Sequence, residues 1–230
     1  MPSGWFADTA ALYGRVFRRG AVLALRNWAI GLVVVLYVGV LGIAMVLAAP
    51  LGIVGGLLIY LATVACASSW LYLVAQVLRH GRVHLSDIPA GFTAYLGDLL
   101  TVGFLVWGLR LIASLVLTPF PFLLLVFLLA TVVFLNAVPE LIYLGRHAPA
   151  ELLVESYRFI GENWIEWFPA NLVLAGCVLA TTLLPAGPLG IVSEGALGLA
   201  LYFSMIVRGL LFLELTTSSR RAREFRRRAS

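Results

Sequence analysis

Long apolar segments dominate the chain, and turns or short stretches of helically spaced charges separate each from the next. A spanning helix needs roughly 20 apolar residues to cross about 30 Å of hydrocarbon. Six segments approach or exceed that length, at about Trp28–Ala49, Leu51–Leu78, Tyr95–Leu117, Phe120–Leu144, Phe168–Leu184 and Leu189–Leu215. Barrel strands would alternate apolar and polar residues, whereas Ile30–Leu47 is apolar on every face. The pattern predicts an all-α polytopic membrane protein with six transmembrane helices.

The six segments fall into three repeated hairpins. Tight, uncharged, Pro-containing turns join the two members of each pair, at Ala48–Gly52, Leu117–Pro121 and Leu184–Pro188. A polar residue next to aromatic residues precedes each hairpin, and these residues, Asn27, Asp98 and Asn163, recur about 65–70 residues apart. The predicted repeat units are about 6–78, 84–144 and 149–215, all within one transmembrane domain of residues 1–219.

A short helix precedes each hairpin, and in the first and third units it has one charged face. In the first unit Arg15, Arg18 and Arg19 share a face at 100° per residue, with Tyr13 and Phe17 opposite. In the third unit the charged face is Glu151, Glu155, Arg158 and Glu162, and the apolar face is Leu153, Tyr157, Ile160 and Trp164. Amphipathic helices of this kind lie in the membrane interface. We therefore expect one on the cytoplasmic side before each hairpin.

Aromatic residues mark the points where these helices run into the apolar segments. Trp28, Tyr95 and Trp164 occupy those positions. Amphipathic rings favour the headgroup region of a bilayer. We expect these three residues to be interfacial anchors.

The third unit carries the clearest local motif, Glu155-Ser156-Tyr157-Arg158-Phe159-Ile160-Gly161-Glu162-Asn163-Trp164. In this Ser followed by an Asn-Trp pair, the chain resembles bacterial six-helix membrane proteins of the YciC-like family. It is also similar to the membrane domain attached to some glycerophosphodiester phosphodiesterases. The second unit departs from the motif, with Gly97-Asp98-Leu99 in place of the Asn-Trp pair. The resemblance implies the six-helix architecture and no particular chemistry.

Composition and charge placement strengthen the membrane assignment. Apolar residues make up 62% of the chain and charged residues 12%, with a mean hydropathy of +1.01, against about half and a quarter in soluble domains. All 16 basic residues are Arg, and none lies in the three uncharged turns. By the positive-inside rule, both termini should be cytoplasmic, in a bacterial cytoplasmic (inner) membrane.

The last residues, 220–230, form a basic tail. Anionic headgroups attract juxtamembrane Arg clusters by about 1 kcal/mol per residue. Membrane lipids are therefore the expected partners, with a membrane protein as a further possibility and nucleic acid excluded by the tail's position at the bilayer. The expected lipid contacts are Arg220, Arg221, Arg223, Arg226, Arg227 and Arg228.

Four charged residues lie within the predicted spans, where charges are costly and usually find partners. They are Arg110, Glu140, Glu194 and Arg208. Matched depth and opposite charge give the hypothesis that Arg110 pairs with Glu194 and that Arg208 pairs with Glu140. Pro139, beside Glu140, should kink the fourth span because it removes a backbone hydrogen bond.

No residue pattern in the chain is typical of an enzyme. His80, His84 and Asp87 are close enough in sequence to suggest metal ligands, yet they are also ordinary members of a cytoplasmic loop. Gly-rich phosphate loops, a His-Glu-x-x-His helix and a Gly-x-Ser-x-Gly elbow are all missing. We expect no catalytic residues, no metal and no cofactor.

Two functions remain open at this level. The intramembrane charges favour a transport-related or membrane-homeostasis protein that handles a lipid or an amphipathic small molecule. The alternative is a non-catalytic scaffold or accessory subunit of a larger membrane complex. A deep cavity lined by Arg110, Glu140, Glu194 and Arg208 would favour transport, whereas a packed centre with dry ion pairs would favour the scaffold.

Overall fold

The computed structural model describes residues 3–145, 148–183 and 190–217, and within these ranges the chain forms helices and no strand. The Arg tail and the turn expected at Leu184–Pro188 lie outside the described residues. Short 3-10 turns occur at Ala49–Leu51 and Leu85–Asp87. The helices are α1 (Ser3–Arg26), α2 (Ala29–Ala48), α3 (Gly52–His80), α4 (Ile88–Ala94), α5 (Leu96–Leu117), α6 (Pro121–Phe134), α7 (Val138–Leu144), α8 (Pro149–Thr182) and α9 (Gly190–Thr217).

The helical, membrane-type fold predicted from the sequence is confirmed. Five helical stretches are long and apolar enough to cross a membrane: Ala29–His80, Leu96–Leu117, Pro121–Leu144, Pro149–Thr181 and Val192–Thr217. The first of these is 52 residues long and contains α2 and α3, which fold back on each other across the 3-10 turn. α5 also packs on α6, and α8 packs on α9.

Side-chain burial divides the helices into two zones. The largest fully buried side chains come from α3, α7, α8 and α9, and we call this zone the packed core: Leu73, Val74, Val77, Glu140, Tyr143, Leu152, Ile160, Trp167, Tyr202, Ile206, Leu211 and Leu215. The opposite ends of the helices, which we call the apolar tips, expose large hydrophobic side chains such as Val46, Ile53, Leu115, Phe122 and Leu183. Exposed apolar surface on this scale is expected in lipid and not in water.

α8 differs from the prediction in its length. An interfacial helix and a separate span were expected, yet α8 continues unbroken through Pro169. Tyr157 and Trp164 of the predicted apolar face are exposed, and a neighbouring stripe that includes Ser156 and Asn163 is buried. The sequence pattern did not predict this polar burial, which is possible because each of the two side chains hydrogen-bonds a backbone carbonyl.

Small residues let α4 lie close against α3. Ser68 Oγ donates a 2.7 Å hydrogen bond to the carbonyl of Gly91 and accepts one of 2.8 Å from the Tyr95 N–H. Ser69 Oγ donates to the carbonyl of Ile88 over 3.0 Å. The two serines are fully buried. They therefore fix the position from which the chain enters α5.

Glycine allows α2 and α9 to touch along their backbones. A Cβ atom on Gly198 would lie 2.6 Å from the carbonyl oxygen of Gly31, and one on Gly31 would lie 2.7 Å from Leu199 Cδ2. A backbone atom cannot move aside without separating the helices. Gly195, one turn earlier on α9, has nothing within 4 Å of the same position.

We predict that Gly198→Ala lowers the stability of the protein by roughly 1–3 kcal/mol, since the added methyl group overpacks the contact between α2 and α9. Gly195→Ala is the matched control and should leave stability unchanged or raise it by up to about 1 kcal/mol, through helix propensity. Thermal unfolding of both variants in detergent micelles, followed by circular dichroism, measures the difference. Equal midpoints for the two variants would show that the helices do not make this contact.

Candidate functional site

The fourth apolar segment is interrupted in the middle. Leu135–Ala137 leave the helical conformation between α6 and α7, and Val138 N–H donates to the carbonyl of Leu135 over 3.2 Å. Pro139 lies in the first turn of α7, where a missing N–H costs little. The sequence predicted a kink at this proline within a continuous helix. The structure instead has a break just before it.

Side chains from α8 and α9 satisfy the backbone at this break. Ser156 Oγ donates a 2.7 Å hydrogen bond to the carbonyl of Phe134, and Arg208 Nη2 donates one of 2.7 Å to the carbonyl of Asn136. Trp167 Nε1 donates to Asn136 Oδ1 over 2.9 Å. Free carbonyls among apolar side chains need such donors, because no water is at hand to replace them.

Glu140 and Arg208 form a bidentate ion pair beside the break. Arg208 Nε lies 2.6 Å from Glu140 Oε1, and Arg208 Nη2 lies 2.8 Å from Glu140 Oε2. The Glu140 side chain is 0% exposed and that of Arg208 is 16% exposed. The guanidinium also sits 5.1 Å from the centre of the Trp167 ring, at cation–π distance. The structure thus brings together one of the two pairs hypothesised from the sequence.

The far end of α7 is held as firmly as its beginning. The carbonyl of Tyr143 accepts a 2.8 Å hydrogen bond from Arg79 Nη2 and one of 3.5 Å from the Tyr95 hydroxyl. The Tyr143 hydroxyl, fully buried, donates to the carbonyl of Met205 over 3.4 Å. α7 is therefore fixed between α3 and α9 by its backbone as well as by its side chains.

This arrangement favours a structural role over a chemical one. A general base or a metal ligand needs an oxygen open to its target, and each oxygen of Glu140 accepts from Arg208. Within the described residues no group of three or more His, Cys, Asp or Glu side chains is placed to hold a metal ion. The two charged groups of the packed core, Glu140 and Arg208, are thus paired with each other.

The second hypothesised pair, Arg110 with Glu194, is not formed. Both residues are exposed, and no ion pair between them is present in the described part of the chain. Their helices have different main neighbours: α5 packs on α3, α4, α6 and α8, whereas α9 packs on α1, α2, α3, α7 and α8. Matched depth predicted the pair, but depth says nothing about which helices are neighbours.

The three aromatic anchors divide into two kinds. Trp28 is 56% exposed and Trp164 is 55% exposed, as a ring at a membrane surface would be. Tyr95 is half-buried instead, with its hydroxyl directed at Tyr143.

Next to Trp28, the buried Asn27 ties α1 to the loop after α3. That tie consists of two hydrogen bonds. Asn27 Nδ2 donates to the carbonyl of Gly81 over 3.1 Å, and its Oδ1 accepts from the Val83 N–H over 3.3 Å. Gly81 itself ends α3 in the left-handed region, at φ 72°, which favours glycine. Asn27, the recurring polar residue of the first unit, therefore has a structural role: it holds the end of α1 against the loop after α3.

α8 also carries a buried acid that the sequence did not single out. Glu166 is buried, and the Tyr13 hydroxyl of α1 donates a 2.8 Å hydrogen bond to its backbone carbonyl. Burial first, and the Glu166 carboxylate second, raise the pKa of the Tyr13 phenol. Buried polar atoms without a hydrogen-bond partner in the described part of the structure are Glu166 Oε2, Asn171 Oδ1, Tyr202 Oη and Ser204 Oγ.

Asn171 Nδ2 donates a hydrogen bond to the carbonyl of Trp167, one turn earlier in α8, over 2.7 Å. Trp167 and Ser156 are the contributors to the site that sequence reasoning missed. The available signal was the spacing of Ser156, Asn163 and Trp167, which places all three on one side of α8.

No protein-family model, curated protein or solved structure matches this chain.

Glu140 and Glu166 allow a matched test of the ion pair. Glu140→Gln should destabilise the protein by about 3–5 kcal/mol, since it leaves the Arg208 charge buried without its counter-charge. Glu166→Gln removes an acid that lacks such a partner, and stability should equal or exceed that of the unchanged protein. Chemical unfolding in micelles, followed by Trp fluorescence, gives both values. Equal losses from the two substitutions would contradict the assignment.

Proposed function

We propose that the protein is a non-catalytic membrane scaffold or accessory subunit of a larger membrane complex. The closed pair of Glu140 and Arg208 carries this proposal. A residue that passes a proton or a polar substrate across a bilayer must be reachable and must change partners. Glu140 is fully buried, and both of its oxygens are bound.

Exposed charges in the apolar tips add support. Arg110 lies within α5 among exposed neighbours such as Trp107 and Ile112, and Glu194 is exposed near the beginning of α9. A charge that faces hydrocarbon alone costs roughly 2.5–3.5 kcal/mol at the centre of a span. A second membrane protein that offers an opposite charge would remove this cost.

A groove at the packed core favours a second candidate function, the handling of a lipid or an amphipathic small molecule for transport or membrane homeostasis. The groove has a volume of about 350 Å³ and lies between α7, α8 and α9. Phe159 and Phe212 supply apolar walls, and Glu155, Arg158 and Glu162 supply charges of both signs. This lining suits a molecule with polar and apolar parts. It does not include Glu140 or Arg208.

We further propose that the chain crosses a bacterial cytoplasmic membrane six times, as the three hairpins α2/α3, α5/α6 and α8/α9, with both termini in the cytoplasm. The packing of each helix on its partner supports the hairpins. The uncharged turns and the Arg-rich opposite side support the orientation. In this orientation the tail contacts anionic headgroups through the six Arg residues between positions 220 and 228.

Single cysteines in a chain with Cys66→Ala and Cys177→Ala test the topology. A membrane-impermeant maleimide added to spheroplasts should label Ala49→Cys and Thr118→Cys, which lie at the two described turns. It should label Arg82→Cys only after the membrane is permeabilised. If Ala49→Cys and Arg82→Cys behave alike, residues 29–80 do not cross the membrane twice.

Affinity purification from native membranes in mild detergent tests the scaffold proposal. We expect a membrane protein to co-purify in stoichiometric amount, and Arg110→Leu to reduce its recovery at least fivefold. Arg82→Leu, an equal change in charge at an exposed loop position, should not reduce it. A stoichiometric lipid or metabolite in place of a protein partner would favour the transport function and would overturn the scaffold.

A further inference from the structure

A groove between α1 and α9 has a charged rim and an apolar floor. It has a volume of about 440 Å³, within the range of about 300–1,000 Å³ typical of small-molecule sites. Basic side chains of α1 dominate the rim, and aliphatic side chains of both helices form the floor. Its lining is Arg15, Arg18, Arg19 and Glu214 at the rim, with Val16, Val22 and Leu210 at the floor.

The two helices that form the groove are held in fixed positions. Leu12 and Val16 of α1 are buried, and Gly20 lies directly against Val207 of α9. The three rim arginines remain exposed on α1. Because these residues lie within four positions of one another, they share one face of the helix. Their charges therefore converge on a groove with rigid walls.

The net positive charge of the rim favours an anionic ligand. Three guanidinium groups outnumber the single carboxylate of Glu214, which leaves a formal excess of two positive charges. Guanidinium groups bind phosphate oxygens in pairs and in a fixed geometry.

The aliphatic floor suits a ligand that carries a hydrocarbon chain in addition to its charged group. Val22 is 61% exposed beside the rim, and contact between exposed aliphatic side chains and an acyl chain removes apolar surface from water. A free phosphate ion would gain nothing from such a floor. An anionic phospholipid satisfies both halves of the groove at once.

We propose that the groove between α1 and α9 binds one anionic phospholipid, with its phosphate on Arg15, Arg18 and Arg19 and an acyl chain along Val16, Val22 and Leu210. The site lies on the side of the molecule that the Arg distribution assigns to the cytoplasm, and it is separate from the groove between α7, α8 and α9. It fixes α1 and α9 to the inner leaflet. It depends on neither of the two proposed functions.

Native mass spectrometry of the full-length protein, released from detergent micelles, tests this site with three probes: phosphatidylglycerol, phosphatidylcholine and inorganic phosphate. We expect one tightly retained phosphatidylglycerol and weaker binding of phosphatidylcholine. The triple variant Arg15→Gln, Arg18→Gln, Arg19→Gln should weaken phosphatidylglycerol binding about 100-fold, because each Arg near an anionic headgroup contributes about a factor of five.

The matched control removes two charges elsewhere, with Arg26→Gln and Arg82→Gln, for comparison with the double variant Arg18→Gln, Arg19→Gln. These arginines are exposed and do not line the groove, so affinity for phosphatidylglycerol should change less than threefold. Val22→Ser, a change at an exposed floor position, should weaken binding several-fold with the rim intact. Thermal unfolding midpoints of all variants establish that each one is folded.

Three results would overturn the proposal. Equal losses of phosphatidylglycerol affinity in the rim and control variants would show that binding depends only on the net charge of the protein. Equal retention of phosphatidylcholine would show that the rim does not select an anion. Displacement of phosphatidylglycerol by inorganic phosphate at similar concentration would assign the groove to the free ion.

Discussion

A helix that breaks among apolar side chains exposes carbonyl groups that no water can satisfy, and this constraint organises the packed core. The break between α6 and α7 leaves the carbonyls of Phe134 and Asn136 to other helices. Arg208 donates a hydrogen bond to the Asn136 carbonyl and also pairs with the Glu140 carboxylate. One side chain of α9 thereby satisfies an unpaired carbonyl and neutralises a buried charge. Removing it would leave a free carbonyl and an unpaired buried carboxylate together.

The contacts around this pair determine how the rest of the chain is arranged. Trp167 and Ser156 bring α8 to the break, and the Tyr143 carbonyl brings Arg79 of α3 to the other end of α7. The packed core therefore holds α3, α7, α8 and α9 in one unit. The described parts of the apolar tips expose large apolar side chains, so lipid is their natural environment.

The sequence predicted what is local or periodic, and it failed where the outcome depends on neighbours. Apolar length predicted the helices, and opposite charge at similar depth led correctly to Glu140 and Arg208. The same reasoning led wrongly to Arg110 and Glu194, because charge and depth do not say which helices are in contact. The burial of two polar residues of α8 was also not predicted. Ser156 and Asn163 count as polar in any pattern, and only the free carbonyl of Phe134 and the carbonyl of Phe159 make their burial favourable.

A double-mutant cycle on Glu140 and Arg208 tests the central claim most directly, with Glu140→Leu, Arg208→Met and the two combined. The free energy of unfolding in micelles is the quantity to measure. The pair at the helix break predicts a large loss for each single change and a coupling energy of at least about 2 kcal/mol, since the double variant leaves no buried charge alone. Losses that simply add in the double variant would contradict the account.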